Sequence, residues 1–238
     1  MINLAVWSGP RNISTALMYS FGNRDDFEII DEPFYANYLI ETGLDHPMRE
    51  EIILSQPENV TDVIDNLTKD RSIIGKNLYQ KHMTHHMVRS VPRGWLDQVK
   101  HVFLLRHPAR VISSFAKKYN RISEQDIGFK KQVELFLEIT ERGLNPIVVN
   151  SEDIRKKPEE TLTKLCDRIN LSFQKSMLYW SKGGHIKDGV WASHWYGSAH
   201  KSTGFSGPED TLPNLKGRNA NLAEASMPFY SSLLKFAI

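Results

Sequence analysis

Two short segments hold residues whose types and spacing suit the binding of anions. In the first, an apolar run at residues 2–8 leads straight into Ser8-Gly-Pro-Arg-Asn-Ile-Ser-Thr15, where a helical period begins. A strand, a tight turn and a helix N-terminus gather free backbone N–H groups and the positive end of a helix dipole at one point. Gly9 and Pro10 supply the turn, Arg11 adds a full charge, Asn12 and Ile13 complete the loop, and Ser14 and Thr15 add hydroxyl donors. The triphosphatase pattern Gly-x-x-x-x-Gly-Lys-Ser/Thr is absent, so no lysine here reaches a γ-phosphate. Alone, this segment reads nearly as well as a capped helix with an exposed arginine. The second segment is Phe103-Leu-Leu-Arg-His-Pro-Ala-Arg-Val-Ile-Ser-Ser114. Arg106 stands where a strand ends, Pro108 opens a helix, and Ser114 follows two turns into it. A guanidinium at that edge has the bidentate geometry that a phosphate accepts.

The elements that must position these groups are readable in outline. Apolar runs predict strands at residues 2–8, Phe27–Asp31, Ser72–Gly75, Val102–Leu105 and Pro146–Asn150. Helical stripes are formed by Ile13, Ala16, Leu17, Ser20 and Phe21, and by Ile112, Phe115, Ala116 and Tyr119. Others are Phe129, Val133, Phe136, Leu137 and Thr140, and Leu162, Leu165, Cys166 and Ile169 after Pro158. A last helix is expected at residues 228–237. Strands alternating with helices, and nearly continuous apolar strands, predict a parallel sheet covered on both faces. The expectation is one α/β domain over residues 1–238: three layers around a central, mostly parallel five-stranded sheet. Open sheets of this kind bind ligands at the C-terminal edge of their strands. Residues 181–218 hold seven of the fourteen glycines and two prolines, and read as a long loop-rich excursion.

Composition narrows the classes. At 238 residues the chain can bury roughly 70% of its unfolded surface. Forty per cent hydrophobic and 24% charged residues exclude a disordered or collagen-like chain. Thirty basic against 28 acidic residues leave +2, which argues against a nucleic-acid binder. The single cysteine excludes an internal disulfide and a cysteine-rich zinc site. No apolar run reaches the ~18 residues a membrane span needs. With no signal peptide at the N-terminus, the expected location is cytoplasmic.

Together the two anion segments resemble those of the sulfotransferase family. Arg11-Asn-Ile-Ser-Thr15 is similar to its 5′-phosphosulfate loop, and Arg106-His-Pro with Ser114 to its 3′-phosphate motif. The likeness extends weakly to Glu32-Pro-Phe and to Gly75-Lys76. It implies a P-loop-like fold and 3′-phosphoadenosine 5′-phosphosulfate (PAPS) as sulfuryl donor, with no metal. The acceptor is then a hydroxyl or amine of a small molecule or carbohydrate. Gly9 to Thr15 would hold the phosphosulfate, Arg106 and Ser114 the 3′-phosphate, and Lys76 would stand near the transferring group. Asn12 and Ile13 replace the usual Ser and Gly, and His107 the usual Asp. A β-branched Ile13 does not easily take a positive φ, so either the backbone differs there or the position needs no unusual dihedral.

Glu32 is the candidate base, because Pro33 keeps it extended at a strand end; the same carboxylate also reads as a cap or an arginine partner. Asp31 competes with it, and a histidine base is known in the family. The run His82-Met-Thr-His-His86 lacks a carboxylate or cysteine at ligand spacing and reads as solvated or capping histidines rather than a metal site. Cys166 reads as a core residue. In the glycine-rich segment, His200-Lys-Ser-Thr-Gly-Phe205 offers Lys201 to the donor as part of a lid, by a loose likeness to a late basic loop of the family. Trp191 and Trp195 read as cover for the sheet. Two other classes remain open: a nucleotide phosphotransferase or hydrolase of the same fold, and a non-catalytic nucleotide-binding relative.

Overall fold

The structure is a computed structural model that describes residues 1–238. Along the chain it runs β1 (Asn3–Ser8), α1 (Ser14–Gly22), β2 (Phe27–Asp31), α2 (Tyr35–Thr42), α3 (Arg49–Ser55), α4 (Val60–Thr68), α5 (Arg71–Ile74) and β3 (Asn77–Met83). It continues with β4 (Lys100–Leu105), α6 (Pro108–Ala116), α7 (Glu124–Ile127), α8 (Phe129–Glu141), β5 (Ile147–Asn150), α9 (Ser151–Lys156), α10 (Pro158–Arg168), α11 (Ala192–Trp195) and α12 (Gly217–Leu234). The five strands form one sheet in the order β2-β3-β1-β4-β5. Every pairing is parallel.

Alternation along β1 shows how the three layers form. Leu4 and Val6 face a core shared with α1, α2, α3 and α10, whereas Ala5 and Trp7 face a second core shared with α4, α6, α8 and α12. Side chains of successive strand residues point to opposite faces, so a strand that is apolar throughout must be covered twice. Cys166 is fully buried in the first core, as its helical stripe requires.

Three expectations are corrected. Residues 71–74 are a helical turn and not a strand: Asp70 accepts from Ser72 N, and Gly75 closes the turn at φ 75°. The third strand follows at Asn77–Met83 and is buried throughout, although four of its seven residues are polar or charged. Neighbours satisfy those groups: Gln80 donates to Leu67 O at 3.0 Å, and Asn77 accepts from Ile2 N at 2.8 Å. The histidine run is therefore not solvated. His82 lies in β3, 2% exposed and stacked on Trp7 at 4.4 Å, and His86 is 3% exposed. The last helix starts at Gly217, well before residue 228, and carries Pro228 within it. The long segment before it holds one helical turn, α11, and otherwise no helix or strand.

Candidate active site

Strands β1 to β4 end on one side of the sheet, and a cavity of about 560 Å³ opens there. The loop between β1 and α1 forms one wall. Pro10 to Thr15 all line the cavity. Arg11 and Ile13 both have positive φ, 62° and 56°, and such turns curl backbone N–H groups around a concave anion site. Ile13 thus takes the conformation its side chain disfavours, and its side chain packs against the first core. As N-cap of α1 it offers no side-chain acceptor, and no acidic residue follows in the first turn. The first N–H groups of α1 therefore have no side-chain acceptor. Gly9 does not line the cavity; a Cβ there would meet Ile127 O at 2.5 Å, so glycine lets the loop pass α7.

Arg11 Nε donates to Ser114 Oγ at 2.9 Å, and Arg106 Nη1 to the Arg11 carbonyl at 2.6 Å. The two anion segments are therefore one hydrogen-bonded unit across β1 and β4. Burial, and after it the Arg106 charge, lowers the pKa of Arg11, as expected where cations crowd into a partly dry place. His107 replaces an aspartate without loss of the cap: its Nδ1 accepts from Ala109 N at 3.2 Å. Burial lowers its pKa, which favours the neutral, accepting ring.

A second cluster sits at the ends of β2 and β3, where Asp31 pairs with Lys81 in register. Lys81, 1% exposed, donates to Asp31 Oδ1 at 2.9 Å, to Tyr196 OH at 2.6 Å and to Glu32 Oε1. Tyr196 OH accepts from Trp191 Nε1 at 3.0 Å and donates to Asp31 Oδ2 at 2.8 Å. Asp31 Oδ2 also accepts from Gly189 N at 3.1 Å. Asp31 is thus saturated and does not line the cavity; Glu32 does, and its Oε2 lies 3.9 Å from His86 Nδ1. Burial raises the pKa of Glu32 against the opposing pull of Lys81. Glu32 is held at φ 41°, not in the extended conformation expected before Pro33, so three of the five non-glycine residues with positive φ bear on this site.

Aromatic rings build the remaining wall. Tyr35, Tyr38, His85, His86, Tyr119 and Trp195 all line the cavity. His86 lies between Tyr35 at 4.5 Å and Tyr38 at 4.8 Å, and Trp195 stacks on Tyr119 at 5.7 Å. Burial pushes His86 well below the usual histidine range, so the ring is neutral, and its Nδ1 has no hydrogen-bond partner. Trp191 is core and braces Tyr196, whereas Trp195 belongs to the cavity.

Two sequence candidates lie elsewhere. Lys76 is exposed and precedes β3, at the opposite end of the strand from the cavity. Its misplacement follows from the misplaced strand, and the lysine at the site is Lys81, five residues on. Lys201 is exposed and does not line the cavity, although Ser198, Ala199, Ser202, Gly204, Phe205 and Ser206 do. The sequence reasoning missed Lys81, Tyr196 and His86. Only the polar residues inside an otherwise buried strand signalled Lys81, and nothing local signalled Tyr196.

A five-stranded parallel sheet with helices on both faces, carrying two cationic segments at its C-terminal edge, defines the chain as an α/β protein of the open-sheet class. The chain belongs to the sulfotransferase domain family, whose model matches residues 2–237. Two Arabidopsis thaliana relatives, named branched-chain-amino-acid aminotransferase-like proteins 1 and 2, are 37% and 34% identical over 227 and 229 residues. Each alignment covers 95% of this chain and 40% of the relative, so the chain spans two fifths of their length. The sulfotransferase domain from the curacin biosynthetic pathway superposes with a TM-score of 0.58 at 18% identity, covering 100% of this chain and 98% of that one. The sulfotransferase from Alicyclobacillus acidocaldarius gives 0.56 at 10% identity, covering 100% and 97%. At these identities the structures establish the shared fold.

Proposed function

We propose that the protein transfers a sulfuryl group from PAPS to a hydroxyl group of a small-molecule or carbohydrate acceptor. The observation that carries this reading is the linkage of two cationic places, Arg11 beside the uncapped end of α1 and Arg106 at the end of β4, beside a cavity that also exposes Glu32. PAPS has two separated anionic groups, and these places suit the 5′-phosphosulfate and the 3′-phosphate respectively. No metal is required in this scheme.

The acceptor oxygen forms a bond to sulfur while the bond between sulfur and the bridging oxygen of the 5′-phosphate breaks. The acceptor proton passes to Glu32 Oε2, and the charge left on the phosphate is met by Arg11 and the α1 N–H groups. Lys81 is a positioning residue: it fixes Glu32 through Oε1 and leaves the other oxygen free. The aromatic wall suits an acceptor with a planar or apolar face.

The test is release of adenosine 3′,5′-bisphosphate from PAPS over a panel of hydroxylated acceptors. Glu32→Gln is expected to keep donor binding and to lose roughly 10²–10⁴-fold in kcat. Unchanged turnover in that variant contradicts the assignment of the base.

A further inference from the structure

Residues 206–215 lack regular structure and are mostly exposed. Phe205 packs against the first core and Leu215 against the second, so both ends of the segment are pinned. Between those pins, every hydrogen bond to the rest of the protein comes from three guanidinium groups. Arg155 Nε donates to Gly207 O at 3.1 Å, and Arg110 Nη2 to Asp210 O at 2.7 Å. Arg106 grips both carboxylate oxygens of Glu209, Oε2 through Nε at 3.2 Å and Oε1 through Nη2. Glu209 Oε2 also stands 3.6 Å from Arg110 Nε and 3.9 Å from Arg155 Nε. Burial alone would raise the pKa of Glu209, but the Arg106 hydrogen bonds and the three charges hold it below the ordinary range.

We propose that Arg106, Arg110 and Arg155 form one anion cup, and that Glu209 is its built-in occupant, standing where the 3′-phosphate of the donor binds. This rests on the sulfuryl-donor reading of the cavity. Three cations converge on the cup, and the only other carboxylate at it is Glu152, 3.2 Å from Arg110. Two carboxylates against three guanidinium groups leave the cup one negative charge short. A phosphomonoester brings close to two negative charges and three acceptor oxygens, and is the better ligand for it. Because the arginines are also the only hydrogen-bond anchors of residues 206–215, a ligand that takes them releases the strap between its two pins. A nucleotide carrying the 3′-phosphate can do so, and AMP, which lacks it, cannot. After transfer, the returning carboxylate competes for the same arginines and hastens loss of the bisphosphate product.

Calorimetric titration of adenosine 3′,5′-bisphosphate and of AMP into the full chain and into Glu209→Gln tests this. The variant is expected to bind the bisphosphate about tenfold more tightly, the size of one charge-assisted contact, and AMP within about twofold of the parent. Bisphosphate affinity that is unchanged or weaker in the variant, while the parent still prefers bisphosphate to AMP, overturns the stand-in role and leaves the donor reading intact. If neither protein prefers the bisphosphate, the donor reading fails and takes this proposal with it. A second readout needs no variant. In the parent chain, bisphosphate is expected to speed cleavage after Glu209 by a glutamyl endopeptidase, and AMP is not. Protection of that bond by bisphosphate overturns the proposal.

Discussion

A carboxylate that takes a proton from a hydroxyl needs one oxygen fixed and the other free. Asp31 has both oxygens engaged, by Lys81, Tyr196 and Gly189, whereas Glu32 is held through Oε1 alone. Burial raises the Glu32 pKa, so protonation of this proposed base sets in at a higher pH than for an ordinary carboxylate. The kcat/KM profile is therefore expected to fall, as pH drops, along a limb lying above the ordinary glutamate value of about 4.3. That limb should vanish in the residual activity of Glu32→Gln; a limb that persists there belongs to another group. At this scale the sequence was informative where chemistry and strand ends coincide: Arg11, Glu32 and Arg106 all line the cavity. Lys81 was hidden because a charged residue in a strand reads as a break, and here two buried carboxylates make it the opposite. Tyr196 and Glu209 reach the site from more than a hundred residues away, and local pattern carries no trace of such contacts.

The loop from Ser8 to Thr15 joins strand to helix in a shape that costs conformational energy. A β-branched residue in the left-handed region, as at Ile13, costs about 1–2 kcal/mol, offset by packing of its side chain in the first core. Gly9 is constrained differently, by the Ile127 carbonyl 2.5 Å from where a Cβ would stand. Gly9→Ala is expected to destabilise the fold by about 1–3 kcal/mol in chemical denaturation. It should also weaken bisphosphate binding, because the loop must retreat from α7. Unchanged stability would show that the loop relaxes freely. Four of the five strands were legible: β1, β4 and β5 are apolar runs buried on both faces, and the edge strand β2 buries Phe27 and Ile29 while Glu28 is exposed. The strand β3 was not, since Asn77, Gln80 and Lys81 find their partners on other elements, at Ile2, Leu67 and Asp31. Nor were α2 to α4, whose packing fixes helices that the sequence pattern did not distinguish from connection.

Over the whole molecule, charge is nearly balanced at +2, yet Arg11, Lys81, Arg106, Arg121 and Arg155 all line the cavity, and His82, His86 and His101 are buried. Burial lowers the pKa of His82, His85, His86 and His101, for His85 and His101 to about 4. The unfolded chain, with histidines near 6.5, takes up protons that the folded one refuses as pH falls below that value. Each such histidine then removes about 1.4 kcal/mol of stability per pH unit, for His85 and His101 until the pH reaches about 4. The Tm is expected to drop steadily as pH is lowered from 7 to 5, ahead of carboxylate titration; a flat Tm over that range contradicts neutral burial. In the proposed function, the sheet edge reads a nucleotide through its 3′-phosphate. Calorimetric titration of adenosine 3′,5′-bisphosphate beside ATP, with and without Mg²⁺, tests it most directly. Bisphosphate is expected to bind more tightly than ATP under both conditions and to lose roughly ten- to a hundredfold in affinity in Arg106→Ala. Preference for Mg²⁺–ATP, or a bisphosphate affinity indifferent to Arg106, would contradict it.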